Sequence, residues 1–208
     1  MRAAVVDRYG PPEQVRITEL PTPQPRPGQI LLRVEAAAVT SGDARMRAGR
    51  FPPGFGLPAR LAIGLRGPRA SILGVAVSGR VESVGSGATG FAVGDDVAGM
   101  TGMRLGGHAE FVAVPAPAFA PKPLAVSHAD AAGALFGGST ALYFLRDRAG
   151  AGPGQRVLVN GASGSVGSAA VQLAAHCGAE VTAVTSSRNR GLTTRLGAQH
   201  HVDYARTP

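Results

Sequence analysis

The chain changes texture once along its length. Residues 1–120 read as short apolar or alternating runs, Ala3–Asp7, Val15–Leu20, Ile30–Val39, Ile72–Val84, Val97–Met100 and Ala109–Val114. These are punctuated by GPPE, PTPQPRPG and GSGATG, the composition of turns between strands. The pattern predicts an irregular all-β region. Within it, Arg45–Arg69 is a Gly/Pro/Arg stretch that supports no assigned element.

Beyond Pro123 the apolar positions recur at helical spacing or gather in β-branched runs. Ser127 with Asp130 three residues on reads as a helix start, continued to Phe136 and expected to break at Gly137–Gly138. A second helix, Ser139–Arg148, is expected to end at Gly150–Gly154. A strand at Val157–Asn160, a glycine turn and an alanine-rich helix, Ser168–His176, follow, with Gly178 placed to stop the helix. Glu180–Thr185 reads as a strand, Asn189–Leu196 as a short helix and His200–Tyr204 as a third strand. The order β-α-β-α-β implies a parallel sheet. The expected division is 1–122 for the β domain and 123–208 for the α/β domain.

The stretch with the clearest chemistry is Val157–Gly167, VLVNGASGSVG. Strand, glycine turn and helix form the context of a dinucleotide-binding fingerprint, although Ala162 stands at the first glycine position. The turn Ala162, Ser163, Gly164, Ser165, Val166 and Gly167 is expected to present backbone N–H groups and a helix N-terminus to a pyrophosphate. An NAD-specific site usually places Asp or Glu after the second strand to take the ribose 2′-hydroxyl. Here that strand runs into Ser186, Ser187 and Arg188, with no carboxylate before Arg190. Hydroxyls and a guanidinium suit a 2′-phosphate, so NADPH is the expected cofactor. The alternative is that these are solvated helix-start residues.

Composition narrows the class. With 44% hydrophobic and 16% charged residues the sequence is that of a folded globular protein. The N-terminus has no secretory apolar region and no run approaches a membrane span, so a cytoplasmic protein without membrane contact is expected. The net charge of +8 raises nucleic-acid binding as a possibility. The arginines, however, are scattered among Gly and Pro without interleaved aromatics or a recognition helix, and no nucleic-acid partner is expected. Cys177 is the single cysteine, which excludes an internal disulfide framework and reads as an inert thiol. The five histidines show no ligand spacing.

Four segments together resemble the medium-chain dehydrogenase/reductase superfamily, and within it the zinc-independent, quinone-oxidoreductase-like branch. They are MRAAVVDRYGPPEQVRI, VGSGATGFAVGDDV (Val84–Val97), GSTALYFL with the following PGQRVLVNGASGSVG, and LGAQHHVDY. The resemblance implies a GroES-like β-barrel domain followed by the first half of a Rossmann doubly wound parallel sheet. It also implies that the family's remaining half-sheet and its returning segment are not among these residues. Zinc members carry metal ligands at positions matching Thr40-Ser41-Gly42-Asp43 and Gly74-Val75-Ala76, which here lack thiolate and imidazole, so no metal is expected.

By the same resemblance, Thr140 matches a threonine facing the nicotinamide, and Tyr204 a tyrosine near the adenosine phosphate. Thr40 and Asp43 match an Asn-x-x-Asp segment at the mouth of the active site, with Thr40 in place of asparagine. A hydrogen-bonded strand-to-loop corner is the other reading of this pair. Phe51 falls where enoyl-reducing relatives place a tyrosine, which argues against that chemistry. The expected activity is hydride transfer from NADPH to a small-molecule quinone or similarly activated carbonyl. The competing expectation is a non-catalytic nucleotide-binding fragment of such an enzyme. A homodimer is left open, because the edge that such enzymes pair through would lie outside these residues.

Overall fold

Residues 1–206 are described by a computed structural model, and they divide into two units, Met1–Gly133 and the residues from Ala134. In the first unit the alternating segments form antiparallel strands. β1 (Arg2–Val5) pairs with β2 (Arg16–Glu19) in a hairpin. The main sheet contains β3 (Gln29–Ala37), β4 (Ala76–Val84), β5 (Asp96–Met100), β6 (Phe111–Pro115) and β7 (Phe119–Pro121) in the order β6-β3-β4-β5-β7. β1 joins it through single bridges at Ala3–Ala109 and Val5–Ile72. Inward positions of neighbouring strands build one core around Ile30, Leu32, Val77, Val81, Val97 and Val114, each no more than 1% exposed.

Two helices occupy ground where the sequence suggested no element: α1 (Ser41–Ala48) and α2 (Gly56–Ile63). Gly49 closes α1 in the left-handed conformation at φ 63°, while α2 starts at Phe55 without a side-chain cap. Pro58 lies in the first turn of α2, where proline is tolerated because the N–H needs no helical partner.

α3 (His128–Leu142) corrects the expected break at Gly137–Gly138. Glycine lowers helix propensity by about 1 kcal/mol without forbidding the helix. Gly137 here serves a tertiary contact, since a Cβ would lie 2.5 Å from Ser165 O. The helix then widens into a π-turn, Tyr143–Arg148.

In the second unit, β8 (Arg156–Asn160), α4 (Ser165–His176), β9 (Glu180–Thr185), α5 (Arg190–Arg195) and β10 (His200–Asp203) follow the predicted order. All pairings are parallel, in the order β10-β9-β8, with Val157 against Val181 and Asp203 against Thr185. Gly178, at φ 81°, ends the α4 segment. Val159, Val171, Ala174, Val181 and Ala183 form the core between α4 and the sheet. An antiparallel β unit therefore precedes the first half of a doubly wound sheet, as expected. Among the described residues no helix is long and apolar enough to cross a membrane.

Leu32→Ala removes a side chain with no exposed surface from the β core. It is expected to cost about 2–5 kcal/mol, read as a lower denaturant midpoint for the first unit.

Candidate functional site

The site begins where β8 ends. Gly161 takes φ 73°, a left-handed turn that only glycine enters without strain. The N–H groups of Gly161 and Ala162 both donate to Val184 O at 3.1 Å, which fastens the turn to β9. Ala162 lies outside the left-handed region and its methyl is fully buried, so alanine serves where the fingerprint has glycine. The side chain faces the core, and only the backbone of Ala162 lies in the turn.

Gly167 is the position with no alternative. A Cβ there would stand 2.2 Å from Gly161 O and 2.8 Å from Ala162 Cα. Its absence lets α4 start directly against the turn. Gly164 occupies the N-cap at φ −78°, ψ 170° with no capping side chain, and both Gly164 and Ser165 are exposed. Among the described residues nothing accepts from the N–H groups of Ser163, Ser165 or half-buried Val166. Unpaired donors and the positive end of a helix dipole are suited to an anion.

A hydroxyl network joins this turn to the end of β9. Thr185 Oγ1 donates to Ser163 Oγ at 2.9 Å, and Asn189 Nδ2 reaches Ser163 Oγ at 3.1 Å and Ser186 Oγ at 3.3 Å. Ser163 is thus a link between two turns. Ser187 and Arg188 follow on the exposed surface. The three parallel strands bring the glycine turn, Ser186–Arg188 and Tyr204 to their C-terminal ends, where open α/β sheets bind ligands. Tyr204 is 60% exposed. Thr140, on α3, donates its hydroxyl to Phe136 O at 2.7 Å.

Asp203 is the residue that sequence reasoning missed. The segment after β9 holds no carboxylate, yet β10 brings one against it: Ser187 Oγ donates to Asp203 Oδ2. Ala205 N–H donates to Asp203 Oδ1 at 2.9 Å, and Arg206 Nε lies 3.9 Å from Oδ2. The Ser187 hydroxyl first, then the Ala205 N–H and the Arg206 charge, hold this carboxyl below the usual aspartate range. The only available signal was its place at the end of a strand parallel to β9. Thr185 and Asn189, the other two links, carried no signal in linear spacing.

In the first unit, Thr40 and Asp43 form a reciprocal helix cap on α1. Thr40 N and Oγ1 donate to Asp43 Oδ2 at 2.8 and 2.7 Å, and Asp43 N donates to Thr40 Oγ1 at 3.3 Å. Asp43 Oδ1 accepts from Gly74 N at 3.1 Å, and the residue is 4% exposed. Both carboxylate oxygens are committed within the fold, so the hydrogen-bonded corner is present. A substrate bond from the Thr40 hydroxyl would have to replace the one to Asp43. Beside this corner lies a cleft of about 790 Å³, lined by Val6, Val15, Ile17, Val39 and Leu73 with Asp43 and His108 on its wall. Phe51 packs edge-on to Tyr9, with ring centroids 6.2 Å apart. Among the described residues no three His, Cys, Asp or Glu side chains are grouped to hold a metal ion.

Asp43→Ala would leave the Gly74 and Thr40 N–H groups unpaired in a buried corner. It should destabilise the first unit by about 2–3 kcal/mol in urea unfolding. Asp43→Asn keeps one acceptor and should cost less.

Comparison with known proteins agrees with this layout. Residues 26–124 match the family described as "Alcohol dehydrogenase GroES-like domain". The chain is 34% identical over 215 residues to "Quinone-oxidoreductase QR1, chloroplastic" of Triphysaria versicolor, covering 100% of this chain and 62% of the relative. The solved quinone oxidoreductase of Coxiella burnetii superposes with a TM-score of 0.87 at 31% identity, over 99% of this chain and 63% of that one. A mycobacterial structure complexed with NADPH gives 0.82 at 33% identity, over 98% and 59%. The chain therefore spans less than two thirds of the length of these proteins. From the GroES-like match, the parallel half-sheet and the quinone-oxidoreductase relatives, the chain belongs to the medium-chain dehydrogenase/reductase superfamily, in its quinone-oxidoreductase-like part.

Proposed function

We propose that the protein is an NADPH-dependent, zinc-independent oxidoreductase that reduces a quinone or a similarly activated carbonyl. The observation that carries the reading is the glycine turn at Gly161–Gly167, whose N–H groups and helix N-terminus suit a dinucleotide pyrophosphate. The relatives support the acceptor class, and a related structure complexed with NADPH supports the cofactor class.

The residues fit a nicotinamide dinucleotide at its adenosine end. Ser163, Ser165 and Val166 have N–H groups available for a pyrophosphate, and Gly164 leaves room for its close approach. Ser186 and Arg188 would face the 2′ substituent, and Tyr204 would cover the adenosine side. The bound dinucleotide supplies the hydride, and the chain supplies position and exclusion of water. Thr140 is the residue assigned to the nicotinamide side, on the family resemblance. A quinone asks little of a general acid, because its reduced oxyanion is already stabilised. This suits a corner in which Asp43 is buried and committed. In this proposal the Thr40 hydroxyl turns from Asp43 Oδ2 to donate to the acceptor, and the Asp43 N–H, donating to Thr40 Oγ1, orients it.

A second reading is favoured by the sheet itself. Among the described residues β8 is an edge strand, with Leu158 64% exposed. On that reading the 208 residues bind the adenosine half of the nucleotide and do not turn over. Each half of a doubly wound sheet serves one mononucleotide, and hydride transfer demands near-contact positioning of the other half.

Calorimetry on the 208-residue chain separates the two readings. Binding of 2′,5′-ADP is expected in both, and clearly tighter binding of NADPH, with NADPH consumption in the presence of quinones, is expected only of the enzyme. Arg188→Ala should weaken 2′,5′-ADP about tenfold and leave 5′-AMP unchanged, the loss of one charge-assisted bond to a phosphate.

A further inference from the structure

We propose that Asp203 is a specificity-determining residue for the adenosine 2′ substituent, holding the preference for a 2′-phosphate below what Ser186, Ser187 and Arg188 alone would give. The inference rests on the dinucleotide reading above and sharpens it.

Three observations carry it. First, the parallel register sets Asp203 beside Thr185, so its carboxylate lies at the ligand end of the sheet, on the turn that follows β9. Second, the single proton of the Ser187 hydroxyl is spent on Asp203 Oδ2. Ser187 can then offer a ligand only lone pairs, which accept from a ribose hydroxyl and repel a phosphate oxygen. Third, the carboxylate is held ionised by Ser187, the Ala205 N–H and Arg206. Its negative charge sits one hydroxyl away from the place proposed for the dianionic group. Arg206 offsets part of that charge from 3.9 Å, and Arg188 is the exposed cation of the turn itself. The turn therefore combines a guanidinium that favours the 2′-phosphate with a carboxylate–hydroxyl pair that favours the bare ribose. The acid that other sites carry at the end of the second strand is supplied here from the third.

The test is the ratio of 2′,5′-ADP to 5′-AMP affinity, measured by calorimetry on the 208-residue chain and its variants. Asp203→Asn keeps an acceptor for Ser187 and removes the charge. The ratio should rise about tenfold, through tighter 2′,5′-ADP binding and unchanged 5′-AMP binding. Ser187→Ala removes the hydroxyl while keeping the charge and should raise it less than Asp203→Asn does. Thermal unfolding checks that each variant is folded, and Asp203→Ser carries the same expectation should the asparagine variant fail to fold. An unchanged ratio, an equal loss of both nucleotides, or an equal rise in Ser187→Ala would overturn the assignment. If the unmodified chain binds neither nucleotide, the dinucleotide reading itself fails and takes this inference with it.

Discussion

One close approach organises the second half of the molecule: the backbone of Gly167 against Gly161 O, at a separation that leaves no room for a single methyl group. Because α4 can start on the turn itself, its first N–H groups open outward beside the end of β8. Any side chain at Gly167 would push the helix away and separate those donors from the strand that aligns them. The left-handed Gly161 is the other half of the constraint, since the reversal it makes aims its own N–H and that of Ala162 at Val184.

From that contact the rest of this end of the parallel sheet is built by short polar links. Thr185, Asn189 and Ser163 tie the glycine turn to the segment after β9, and Asp203 ties that segment to β10. Each link joins the ends of neighbouring parallel strands, so the arrangement is complete within three strands and two helices. The first unit solves a different problem. There a buried aspartate caps α1 and holds the Gly74 backbone, placing a polar side chain against an apolar cleft without leaving an oxygen unpartnered.

How much of this was legible in the sequence depended on whether the cause was local. The β-α-β-α-β order could be read because each element carries its own period and its own stop, such as Gly178 after α4. The glycine turn could be read for the same reason. Gly137–Gly138 misled because Gly137 makes a contact with Ser165, far along the chain, and a local rule sees only two weak helix positions. α1 is hidden because its start signal, Thr40 with Asp43, fits a strand-to-loop corner or an active-site mouth equally well; α2 lacks a capping side chain altogether. Asp203 was out of reach for a further reason. It meets Ser187 across 16 positions of sequence, a juxtaposition set by strand register and not by spacing along any one element.

In the proposed function the second unit recognises the nucleotide's adenosine half through its own backbone and side chains. Amide shift mapping of the 208-residue chain with 2′,5′-ADP tests it most directly. The shifts are expected at Ser163–Gly167, Ser186–Asn189 and Asp203–Tyr204. Shifts centred instead on the first unit, or saturating ligand with no shift at Ser163–Gly167, would contradict it.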